Sequence, residues 1–104
     1  MTLEFRQQSF SFVDVSGENP ARRDEANIFF PGPVRIVNAA LQDIDVLYRS
    51  ADHHLQRLRV HASAIKMSGE PRGVIVRVDV QLRDKNGDDR FDADVTVLVI
   101  ADLD

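Results

Sequence analysis

The sequence predicts an all-β fold, a six-stranded antiparallel β-sandwich formed by a single domain over residues 1–104. Three observations predict it. The C-terminal half alternates apolar and polar residues with a period of two, the mark of strands with one buried face. Short runs of this kind are separated by clusters of Gly, Pro, Asn and Asp, which punctuate chains at turns. Hydrophobic residues make up 43% of the chain, enough for one two-layer core and too many for a disordered segment.

Phe5 to Val15 reads as the first strand, with Phe10 and Phe12 on one face. Ser16 to Glu25 is polar and turn-rich and reads as a loop. Ala26 to Phe30 is a short strand, stopped by Pro31-Gly32-Pro33 because proline cannot donate to a ladder. Val34 to Val46 is a strand, or a strand with a bulge, apolar on both faces at Val34, Ile36, Val37, Ala39, Ala40 and Leu41. Leu55 to Met67 places Leu58, Val60, Ala62 and Ala64 on an inner face and Arg57, Arg59, His61 and Ser63 on the outer one. Leu55, Leu58 and Ala62 also recur at helical spacing, so a helix is the rival there, and context favours the strand.

Val74, Val76, Val78, Val80 and Leu82 form the inner face of the next strand. Phe91, Ala93, Val95, Val97 and Val99 form that of the last. Asn86-Gly87 between them is a strong local hairpin signal, so these two strands are expected to pair. A two-residue loop would set Val80 opposite Ala93, but also Asp79 opposite Asp94 and Arg83 opposite Arg90. A longer loop would set Arg83 opposite Asp92, and the register stays open between the two.

Composition narrows the function. The chain has no cysteine, which removes disulfides, thiolate metal ligands and a cysteine nucleophile together. Its net charge of −4 is spread along the sequence, and no basic block exceeds Arg22-Arg23, so no nucleic-acid partner is expected. No apolar run approaches the roughly 20 residues of a membrane helix. Glu4 and Arg6 interrupt the first residues, so no signal peptide is visible; the expectation is a cytoplasmic protein or one released without a leader.

Candidate sites are few. Asp84, Asn86 and Asp88 alternate as in a calcium loop, but Asp89 stands where glycine is required and Val95 where a bidentate acid is required. His53 and His54 are adjacent and would point to opposite faces of a strand, which argues against a metal site shared with Asp52 or His61. Asp92 and Asp94 read as a solvated strand face, and neither a nucleophile elbow nor a phosphate loop is present. The chain is accordingly expected to be neither an enzyme nor a cofactor protein. Leu98 and Ile100, with Ile75 opposite or nearby, fall on the face away from the core and suggest a subunit interface.

Several segments taken together resemble the H-type lectin domain, the family of snail agglutinins and discoidin C-terminal domains. They are Asn27-Ile28-Phe29-Phe30, Pro33-Val34, Leu58-Arg59-Val60-His61-Ala62, Gly73-Val74-Ile75-Val76 and Val95-Thr96-Val97-Leu98-Val99-Ile100-Ala101, within about Gly17 to Asp102. The resemblance implies a six-stranded sandwich that assembles as a trimer or hexamer. It also implies binding of N-acetylgalactosamine or galactose near protomer boundaries. It assigns the family's strand arginine to Arg59 and its loop glycine and acid to Gly17 and Asn19, with Asn replacing the acid. The tryptophan-histidine pair falls near Leu82-Arg83 or Gln81-Leu82, which leaves Arg83 as the polar candidate, and the aromatic opening the last strand falls on Phe91. The usual late tryptophan is Val99. The expected function is a carbohydrate-binding module made multivalent by homo-oligomerisation. The alternative is a structural module that assembles in the same way without a sugar.

Overall fold

The computed structural model describes residues 2–16, 22–48, 55–84 and 90–104. It contains six strands and no helix among these residues: β1 (Thr2–Ser16), β2 (Arg22–Phe29), β3 (Val34–Tyr48), β4 (Leu55–Lys66), β5 (Gly73–Asp84) and β6 (Arg90–Leu103). They form two three-stranded antiparallel sheets packed face to face as a β-sandwich. The first sheet has the order β1-β6-β3 and the second β2-β5-β4. Strands of 15 residues at about 3.3 Å per residue account for the long axis of a 51 × 22 × 18 Å body.

The two central strands supply the core. Along β5, Val74, Val76, Val78 and Val80 are completely buried, followed by Leu82. Along β6, Phe91, Ala93, Val95, Val97, Val99, Ala101 and Leu103 are buried at every second position. Strict alternation therefore directs both inner faces into one layer, as sheet-on-sheet packing requires. Phe10, Phe12 and Val15 close it from β1, and Phe30 from the end of β2.

The expected pairing of the last two strands is wrong. β5 is hydrogen-bonded on its two edges to β2 and β4, and β6 to β1 and β3. A strand has only two edges, so β5 and β6 meet face to face across the core. The segment Asn86-Gly87, read from the sequence as a hairpin signal, lies outside the described residues. The consecutive strands that do pair are β4 and β5, through a turn over Met67–Arg72. There Gly69 adopts φ +78°, and Met67 N–H donates to the Gly73 carbonyl at 2.9 Å. The actual register separates Asp79 from Asp94 and Arg83 from Arg90, although it sets Asp94 opposite Asp45 and Arg83 opposite Arg57. Asp79 faces Arg23 and accepts from its Nε at 2.7 Å, and Arg77 faces Glu25 at the same distance.

Strand boundaries differ from expectation at several places, and β1 begins at Thr2 rather than Phe5. Arg22 to Glu25 belongs to β2 rather than to a loop, because an edge strand tolerates charged residues on both faces. β3 continues to Tyr48 and carries irregularities between Val34 and Ile36 and between Leu41 and Asp43, which fits the bulged strand. β1 carries another between Phe12 and Val15, where Asp14 takes φ 54°. The N-terminal half of β1 turns polar residues inward. Glu4, Arg6 and Gln8 are half-buried, and the Arg6 guanidinium lies 5.3 Å from the centroid of the buried Phe30 ring.

Candidate functional site

Arg59 lies on β4, an edge strand, where alternation sends Val60 toward the core and Arg59 and His61 outward. On the neighbouring strand Gln81 is its ladder partner, and Asp79 is that of His61. Two other arginines on this outer face, Arg23 and Arg77, are engaged. Arg23 binds Asp79, whose hydrogen bond and charge raise the guanidinium pKa further above its ordinary value. Arg77 binds Glu25 at 2.7 Å. Arg59 is exposed and makes no hydrogen bond or ion pair among the described residues. A guanidinium in this state offers five donors in a planar fork suited to carboxylates, phosphates and vicinal hydroxyls.

The other expected ligand residues do not gather around it. Gly17 and Asn19 lie outside the described residues, as do Asp52, His53 and His54. Arg83 is in β5 with position 57 as its ladder partner, and its side chain is outside the described set. Phe91 is a correction. Its ring is 0% exposed, at a ladder position between Val15 and Tyr48, so it fills the core and presents no platform to a ligand. Arg59 points out of the second sheet and Phe91 into the interior from the first, so the core separates them.

A second polar feature sits beside the β1 bulge. A cleft of about 250 Å³ opens between β1 and β2, lined by Ser11, Phe12, Val15, Arg22 and Asp24 among others. The bulge is held by three contacts. Asp14 N–H donates to Asp92 Oδ1 at 2.8 Å, and Arg90 donates from Nε to Asp14 Oδ1 at 2.6 Å and from Nη2 to the Asp14 carbonyl at 2.7 Å. These bonds stabilise a backbone conformation that non-glycine residues seldom adopt. Arg22 in the cleft has no hydrogen bond or ion pair among the described residues. The sequence carried a signal for the bulge: the buried positions Phe10, Phe12 and Val15 step by two and then by three.

Asp92 and Asp94 take structural contacts, Asp94 accepting from the Ser11 hydroxyl at 2.7 Å. Among the described residues no three His, Asp or Glu side chains are grouped to hold a metal ion. Among the described residues no helix is long and apolar enough to cross a membrane.

The apolar surface divides into three areas. On the outer face of the first sheet, Leu3, Phe5 and Ile36 are about half exposed and border Leu98 and Ile100 in successive ladder rows. Ile75 is not part of this patch. It lies on the outer face of the second sheet with Ile65 as its ladder partner and Phe29 nearby. Along the flank where β3 and β4 adjoin, the inward-facing Leu41, Ile44 and Leu58 remain 45%, 40% and 50% exposed. No protein family, curated protein or solved structure matches the chain.

Proposed function

We propose that this chain is a carbohydrate-binding, lectin-like module that acts as a homo-oligomer, with N-acetylgalactosamine or galactose-type glycans as the ligand class. The observation that carries the reading is Arg59, an exposed guanidinium on a strand face with no hydrogen bond or ion pair among the described residues. Sugars are held by fixed polar groups directed at hydroxyls and by apolar surface against the ring. The cleft beside the β1 bulge, with Arg22 and Asp24 next to Phe12 and Val15, supports it as a second place with that combination. The half-exposed Leu3, Phe5 and Ile36 around Leu98 and Ile100 support oligomerisation through the first sheet, since monomers seldom leave such apolar area uncovered. Multiple copies would convert weak sites into useful avidity.

A glycan array on the purified protein, with Arg59→Ala beside it, tests the reading. Arg59→Ala should change stability by less than about 0.5 kcal/mol, as for an ordinary exposed site. Its loss should weaken a glycan complex by about 1.5–3 kcal/mol, the value of a charged hydrogen-bond donor. Equal binding by both proteins would remove Arg59 from the site.

A second reading, an assembly module without a sugar ligand, is favoured by the burial of Phe91 and by a sequence with no Trp and one Tyr. An array with no hit from an assembled, folded protein would select it.

A further inference from the structure

We infer that two copies of this chain join through the β3–β4 flank about a two-fold axis, so that Arg59 of each copy pairs with the acidic edge of the other. The inference rests on the oligomeric part of the function proposed above and specifies one of its interfaces.

The apolar part of the flank is the first reason. Leu41, Ile44 and Leu58 occupy inner-facing positions of their strands, where a sandwich normally hides its side chains. They stay 40–50% exposed because β3 and β4 are both outermost strands, and among the described residues no strand lies beyond them. Val46 and Val60, partly buried against the core, continue the strip inward.

Charge identifies the occupant. Asp43 and Asp45 stand exposed on the outer side of β3 and have no hydrogen bond or ion pair among the described residues. Asp45 is moreover the ladder partner of Asp94, so two carboxylates are neighbours there. Arg59 stands exposed on the outer side of β4, likewise without a hydrogen bond or ion pair among the described residues. Within one copy these opposite charges cannot meet, because they project from opposite outer faces of the sandwich. A two-fold axis lying in the plane of the flank and parallel to the strands lays β3 of one copy along β4 of the other. The apolar strips then face each other, and each acidic rim adjoins a basic one. This is the self-complementarity an isologous interface requires. A carboxylate takes at most two of the five guanidinium donors in a fork-to-fork pair, which leaves the remainder for a ligand.

The test is particle mass by sedimentation, with folding followed by circular dichroism. Wild type should contain an even number of chains. Leu58→Asp and the double change Asp43→Arg with Asp45→Arg should each halve the mass without loss of the β spectrum. Adding Arg59→Asp to the Asp43→Arg, Asp45→Arg protein should restore it, which a folding defect would not allow. An odd number of chains in wild type, an unchanged mass in the acid-reversed protein, or no restoration on adding Arg59→Asp would overturn the inference. None of these outcomes depends on glycan binding, so failure on the array and failure of this interface are read separately.

Discussion

Replacing Phe91 with alanine separates a core role from a ligand role at the position where the two conflict. The ring is fully buried at the start of β6, with Val15 on β1 and Tyr48 on β3 as its ladder partners. Removing it deletes the transfer free energy of an aromatic side chain and leaves a cavity that the flanking strands close only in part. Substitutions of this type cost about 3–5 kcal/mol. For a domain of about 100 residues each kcal/mol lowers Tm by about 4–8 °C, so a fall of at least about 12 °C is expected. Urea unfolding at one fixed protein concentration is the assay, since assembly makes apparent stability depend on concentration. The midpoint should fall with little change in slope, the sign that stability rather than the extent of unfolding has changed. A loss below about 0.5 kcal/mol, typical of exposed positions, would refute the placement of Phe91 in the core.

Two further outcomes follow from the geometry. At the β1 bulge Asp14 has φ 54° and accepts from Arg90. Asp14→Asn should be tolerated, whereas Asp14→Val should be less stable than Asp14→Asn by about 1–2 kcal/mol, because a β-branched residue is strained in the left-handed region; equal denaturation midpoints for the two variants would argue against that backbone. Millimolar calcium should leave Tm unchanged, since the Asp84 to Asp94 segment lacks the glycine and the bidentate acid of a calcium loop. A rise of several degrees with calcium and none with magnesium would mark a site specific to the folded state.

The central strands were the most legible part of the sequence. Val74 to Leu82 and Phe91 to Val99 are buried on both sides by neighbouring strands and on their inner faces by the opposite sheet, so each inner position had to be apolar. Edge strands gave weaker patterns. Arg22 to Glu25 looked like loop because only one side of β2 is paired and its exposed residues need not be apolar. The hairpin of consecutive strands is β4–β5, one connection before Asn86-Gly87. Asn-Gly chemistry reports a reversal of the chain but not whether the next strand joins the same sheet or the facing one. The same error placed Ile75 near Leu98 and Ile100, although the three lie on opposite outer faces.

At the candidate site, period-two alternation was sufficient to put Arg59 outside the core. It could not tell an aromatic lining a ligand site from one filling the interior, and Phe91 proved to be the latter. The cleft at the β1 bulge was missed because Arg22 and Asp24 come from the segment read as loop. The step from Phe12 to Val15 would have located the bulge, since a gap of three between inner positions requires an extra residue in the strand.

Binding to surfaces that carry galactosamine-terminated glycans at increasing density tests the central claim most directly. A homo-oligomer with one weak site per chain should bind dense surfaces about 10²–10⁴-fold more tightly than the free sugar, as expected when later contacts become intramolecular. Free sugar should compete, and Arg59→Ala should lose the gain. Affinity independent of glycan density, or no binding at any density by the folded and assembled protein, would contradict a multivalent carbohydrate-binding function.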